Sequence, residues 1–144
     1  MADDPTTEGR EVLVDSNVLL DVLTEDAQWF KWSASRLAEA AAATTLVINP
    51  VIYAEVSIRF DRIEELDDAV PIDHFRREAL PWAAAFLAGK AFLRYRRRGG
   101  KRRSPLPDFY IGAHAAVRAL SLLTRDARRY RAYFPTVRLI CPDR

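Results

Sequence analysis

The chain has 144 residues, with 22 Lys and Arg against 20 Asp and Glu for a net charge of +2, and 49% of it is hydrophobic. A chain of this size forms one domain with a real core, its composition excludes a disordered protein, and no apolar run approaches the ~18 residues of a membrane-spanning helix. Its single cysteine, Cys141, excludes an internal disulfide framework, and no Cys/His cluster has zinc-site spacing.

Residues 1–10 are polar and acidic and lack the apolar core of a signal peptide, so we expect a flexible tail, a cytoplasmic location and a folded domain over 11–144. Residues 11–15 read as a strand, a short β-branched and leucine run of the kind covered on both faces. A helix follows through Leu23. The alanine-rich segment 29–43 has helical spacing, and Thr45-Leu46-Val47-Ile48 reads as a second strand. Asn49-Pro50 then opens a helix, proline being suited to its first position. An amphipathic helix is expected over 60–69 and a short third strand over 69–72. Residues 75–98 read as a helix that Gly99-Gly100 breaks, with Pro81 as a kink or boundary. Another helix follows Pro107, and 120–124 and 136–140 read as late strands. Alternating strands and helices imply an α/β fold: one central parallel sheet of four or five strands with helices on both faces.

Charge is unevenly spread. Residues 1–73 hold 16 acids and 5 bases, whereas 74–144 hold 4 acids and 17 bases. The basic half suits a polyanionic partner. Acids that persist there, Asp108 and Asp126, call for a reason. Asp15 ends the first strand, Asp108 opens the helix after Pro107, and Asp126 follows the fourth strand. Parallel topology brings such positions to one edge of the sheet, where α/β folds bind ligands. Glu55 reaches that edge if its helix runs past it. Each acid also has a plainer role: Asp15, Asp108 and Asp126 as helix caps, Glu55 as a surface residue.

The segments "VLVDSNVLLDVL", "INPVIYAEV", "LPDFYIGAHA" and "LLTRDARRY" occur in that order. Together they resemble the motifs of PIN domains, most closely the VapC-type ribonuclease toxins of toxin–antitoxin operons, over about Val12 to Pro142. The resemblance implies that the family's invariant acids fall on Asp15, Glu55 and Asp108, and its more variable fourth acid on Asp126. Thr124 matches the small hydroxyl residue before that acid, and Asn17 the polar position after the first aspartate. It also implies an RNA substrate, a symmetric homodimer and a cognate antitoxin. The form of inhibition it implies is an antitoxin arginine or lysine inserted among the acids. The apolar helices between Val51 and Phe60 are candidate surfaces for these partners.

The chemistry agrees with that implication. Phosphodiester hydrolysis needs an activated water and a clamp for charge on the phosphoryl oxygens, and carboxylates holding Mg²⁺ or Mn²⁺ supply both. Asp15, Asp108 and Asp126 are assigned to the metal, and Glu55 to the metal or the attacking water. Asn17 and Thr124 are assigned to hydrogen-bonding those ligands. The run "RYRRRGGKRR" at 94–103 carries Arg96, Arg97, Arg98, Lys101, Arg102 and Arg103, which suit a grip on the RNA backbone; the alternative is a solvated loop.

Other residues receive structural roles. His114 lies round the helix from Asp108 and is read as structural. Gly112 serves close helix packing, Asp21 is expected to be solvated, and Trp29, Trp32 and Trp82 belong to core or interface. Two rival functions remain. One is a basic nucleic-acid-binding module without catalysis. The other is a haloacid-dehalogenase-like phosphatase, which needs a second aspartate where this chain has Asn17.

Overall fold

The computed structural model describes residues 10–143, and the acidic tail over 1–9 lies outside the described residues. Three strands, β1 (Val12–Val14), β2 (Leu46–Ile48) and β4 (Ser121–Leu123), are buried along their whole length. Side chains pointing to both faces are thus covered, which is why these strands are continuous apolar runs without alternation. β3 (Phe75–Arg77) and β5 (Leu139–Ile140) complete a five-stranded sheet in the order β3-β2-β1-β4-β5. Every pairing in it is parallel.

Between the strands run α1 (Ser16–Leu23), α2 (Phe30–Ala43), α3 (Pro50–Ser57), α4 (Ile63–Ala69), α5 (Trp82–Arg97), α6 (Pro107–Arg118) and α7 (Arg128–Tyr133). The chain steps one way from β1 to β2 and β3, then returns to the other side of β1 for β4 and β5. Right-handed crossovers therefore put helices on both faces. They also leave a switch point between β1 and β4, the place where an open parallel sheet offers a crevice at its carboxyl edge.

The third strand departs from the expectation. Residues 69–72 hold the end of α4 and a turn, while Phe75-Arg76-Arg77 form the strand and α5 begins only at Trp82. An edge strand pairs on one side only, so it tolerates charge. Arg76 bonds Glu11 and Glu78, and Arg77 bonds Asp67 at 2.7 Å. Two arginines in succession read as a helix surface unless those partners are known.

An aromatic cluster seats α5, α6 and α7 against one another. The Phe109 ring meets those of Phe92, Tyr95, Tyr133 and Phe134 at centroid distances of 5.5–6.5 Å. Gly112 faces the same cluster: a Cβ there would stand 2.4 Å from the Phe134 ring, so only glycine lets α6 approach. This packing fixes α7, and with it the residues that α7 turns toward β1.

Candidate metal-binding site

Asp15 directly follows β1, its N–H bonded to the Leu123 carbonyl of β4 at 2.9 Å. It is 3% exposed. The residue is both cap and candidate ligand. Oδ1 accepts the Ser16 N–H at 2.8 Å, at the start of α1. Oδ2 accepts the Thr124 hydroxyl and the Tyr130 hydroxyl, each at 2.8 Å, with the Asn17 amide at 3.4 Å. The cap role is thus met by Oδ1 alone, and Oδ2 is turned toward Thr124 and Tyr130.

All of these donors are neutral. Burial therefore dominates and pushes the Asp15 carboxyl up to about 6, the Thr124 and Tyr130 hydrogen bonds opposing it and the charges of Asp108 and Glu55 adding to it. Glu55 lies on α3, which starts at Pro50 with Asn49 Oδ1 accepting the Ile52 N–H at 2.9 Å. Its Oε1 takes the Ser16 hydroxyl at 2.8 Å. Burial raises the Glu55 carboxyl, Ser16 opposes the rise and Asp108 adds to it. Asp108, in the first turn of α6, is raised by burial and by Asp126, with Arg129 opposing. Arg129 Nη1 stands 3.4 Å from Asp108 Oδ2. Asp126 is exposed and lines the same 420 Å³ cleft as Asp108, with Tyr95, Arg128, Arg129 and Tyr133 on its other walls.

Asp108 and Asp126 thus line one cleft, and repulsion links Asp108 to Asp126, to Glu55 and to the buried Asp15. The four acids are not drawn into a closed ligand set: among the described residues, no group of three Asp, Glu, His or Cys side chains stands close enough to enclose an ion. Asp15 is held by its hydroxyl donors, Glu55 by Ser16 and Asp108 by Arg129. The donor set nonetheless fits a hard divalent cation. It consists of carboxylate oxygens whose charge is largely uncompensated, and Mg²⁺ keeps several waters, so one or two direct carboxylates suffice.

Thr124 and Asn17 both reach Asp15. Thr124 is fully buried, and its Oγ1 accepts the Asn17 amide at 3.2 Å while donating to Asp15. Two contributors were missed in the sequence. Ser16 tethers Glu55, and Tyr130, 1% exposed, supplies a hydroxyl to Asp15 from α7. Tyr130 stands four residues after Asp126, inside the segment "LLTRDARRY". That spacing on a short helix was the signal available for it.

Asp21 is not solvated. It is 2% exposed and accepts from the Ser33 hydroxyl at 2.7 Å and from Arg125 Nε at 2.8 Å. Its partner arrives from 104 residues away, which helical spacing cannot reveal. His114 is structural, as read. The Asn49 amide, oriented by its bond to Ile52, donates to His114 Nδ1 at 2.9 Å, so Nε2 carries the proton toward Glu78 at 2.7 Å. Trp82 is 92% exposed on α5, outside the core. Arg96, Arg97, Arg98, Lys101, Arg102 and Arg103 are exposed at the end of α5 and in the following loop. Arg98 lies over the Tyr133 ring at 5.0 Å, which ties this basic tract to the wall of the acid cleft.

No helix among the described residues is long and apolar enough to cross a membrane. No curated protein matches the chain in sequence. In fold, it is similar to VapBC2 from Rickettsia felis bound to a DNA fragment from their promoter, with 14% identity, 92% of this chain and 99% of that one covered, and a TM-score of 0.70. VapBC-1 from nontypeable Haemophilus influenzae gives 15% identity, coverage of 91% and 97%, and a TM-score of 0.69. FitAcB from Neisseria gonorrhoeae gives 18% identity, coverage of 90% and 96%, and a TM-score of 0.64. The family model of the PIN domain matches residues 12–135, nearly the whole described chain, and the protein belongs to the PIN domain family.

Proposed function

We propose that the protein is a metal-dependent endoribonuclease that acts as the toxin of a toxin–antitoxin pair. The observation that carries this reading is the negative mouth at the β1/β4 switch point. There Asp15 is buried with neutral donors only, and Glu55, Asp108 and Asp126 add charge without compensating it. Buried acids left this way are costly to a structure and useful to a cation. Mg²⁺ or Mn²⁺ held there would supply Lewis-acid stabilisation of the phosphoryl oxygens and an activated water. The chain's own residues set up that chemistry. Thr124, Tyr130 and Asn17 orient Asp15, Ser16 orients Glu55, and Arg129 screens Asp108 in the absence of the ion. The basic tract at 94–103 would carry RNA phosphates to this mouth.

A cognate antitoxin partner is supported by the fold matches to VapBC and FitAB assemblies. Inhibition would follow from an antitoxin cation inserted among the acids, and a homodimer would complete the assembly. Ile58, at the end of α3, is 83% exposed and offers an apolar contact for either partner. The phosphatase alternative is disfavoured by Asn17, whose amide is spent on Asp15 and Thr124 where a second carboxyl would have to act.

The test is cleavage of RNA by the pure full-length protein with Mn²⁺, with Mg²⁺ and with a chelator. Cleavage that requires the metal and vanishes in Asp15→Asn is the expected result. An RNA-binding protein that never cleaves would support the non-catalytic module instead.

A further inference from the structure

A second cleft, of 670 Å³, shares part of its lining with the cleft that holds Asp108. Trp29 and Arg125 form one wall, and Arg128 and Arg131 of α7 another. Asp126, Arg128 and Ala132 line both clefts, so the two adjoin along α7. Trp29 is only half-buried, and its ring is braced by two neighbours: it meets Trp32 edge-on at a centroid distance of 6.1 Å, and Arg125 lies 5.7 Å from its centroid. Arg125 cannot drift, because its Nε is tied to the buried Asp21. Among the described residues, neither Arg128 nor Arg131 has an acidic partner; Arg131 makes only a 3.2 Å contact to Cys141 Sγ. The cleft thus combines an anchored aromatic wall with two arginines, Arg128 and Arg131, that form no ion pair, beside the exposed Asp126.

We propose that this cleft holds an unpaired nucleotide next to the scissile phosphate, its base stacked on Trp29 and its phosphates on Arg128 and Arg131. The assignment rests on the ribonuclease reading and deepens it. An aromatic platform beside backbone-binding cations is how single strands are held without reading sequence, since every base offers a π face. RNA would then cross the acids from the 94–103 tract on one side to Trp29 on the other. A duplex keeps its bases paired and cannot use the indole, so the site selects single-stranded substrate.

The test is binding of the full-length protein to a short fluorescent single-stranded RNA and to the same sequence as a duplex, by anisotropy in chelator. Trp29→Ala should weaken single-strand binding roughly five-fold or more. It should leave duplex binding and the salt slope unchanged, and Trp29→Phe should recover most of the loss. Arg128→Gln/Arg131→Gln should lower the salt slope by roughly 1.4 units, about 0.7 for each phosphate contact. Single-strand affinity unchanged in Trp29→Ala overturns the proposal, as does equal loss for single strand and duplex. If Trp29→Ala does not fold, the arginine variant decides: an unchanged slope overturns the proposal. A wild-type protein that cleaves RNA with Mn²⁺ while these variants bind normally overturns this site alone. A wild-type protein that neither binds nor cleaves RNA overturns the nuclease reading and this site with it.

Discussion

Asp15 and Glu78 are both carboxylates withdrawn from solvent just beyond the carboxyl ends of parallel strands, β1 and β3, and their electrostatics run in opposite directions. Around Glu78, burial would raise the carboxyl, but hydrogen bonds from Arg118, His114 and Arg76 outweigh it and hold the group down to about 2. Around Asp15, burial is opposed only by hydroxyls and amides, and the carboxyl rises to about 6. The difference is the count of cations. Glu78 receives the guanidinium groups of Arg76 and Arg118 and joins Glu11 in a compensated network at the edge of the sheet. Asp15 receives none, and its acidic neighbours make matters worse. A compensated carboxylate is part of the fold, whereas an uncompensated one is a candidate for binding a cation, the role proposed above for Asp15.

The comparison can be broken most forcefully by removing each charge. Asp15→Asn and Asp108→Asn should lower metal-dependent cleavage by on the order of a hundred-fold or more, since even residues that only orient metal ligands are worth about ten- to a hundred-fold. Retained cleavage in either variant would refute the site. Glu78→Ala should instead cost stability and leave the metal chemistry alone. It leaves His114 buried without an acceptor and Arg76 and Arg118 without one of their partners, costing about 2–3 kcal/mol by urea denaturation. Mn²⁺ binding by the folded fraction should be unaffected.

A pH titration sharpens the contrast. Because the Asp15 carboxyl is raised in the folded state, its protonated form is favoured there. Its contribution to the metal-free protein is therefore fully present below the unfolded value of 3.8 and is lost as pH rises through about 6. A shift of this size corresponds to roughly 3 kcal/mol. Asp15→Asn should remove this component from the stability profile. Glu78, being lowered, contributes in the opposite sense: its stabilisation is present above the unfolded carboxyl value of 4.5 and fades as pH falls toward about 2. Metal affinity should fall as pH drops through about 6, where Asp15 takes up a proton. Calorimetric Mn²⁺ titrations at several pH values would show this, and a flat profile would contradict it.

Tyr130→Phe should have a smaller effect. It removes one of Asp15's neutral donors, worth about 1 kcal/mol, and raises the carboxyl further. Cleavage by the variant should fall most at slightly acidic pH and recover toward alkaline pH, whereas a pH-independent loss would assign Tyr130 another role. The smallest change is expected from single neutralisations in the 94–103 tract, which lies outside both networks. Each should cut the salt slope of RNA binding by about 0.7 units while leaving metal binding intact.

Much of this protein is determined by the sequence itself. Continuous apolar triplets mark β1, β2 and β4 because strands covered on both faces have no solvent side to record. Asp15, Glu55, Asp108 and Asp126 stand out because an acid next to such a run, or within a basic half, lacks a packing reason. What the tertiary structure alone decided is which charges meet. Asp21 reads as solvated until Arg125 and Ser33 close over it, Arg76 and Arg77 read as helix surface until Glu11, Glu78 and Asp67 make them an edge strand, and Tyr130 is no more than a spacing after Asp126 until α7 is packed against Asp15. Hydrophobic patterning is local, repeating every two or 3.6 residues, so one segment records it. Compensation of a buried charge is not, because its partner can come from any element that topology brings within about 3 Å.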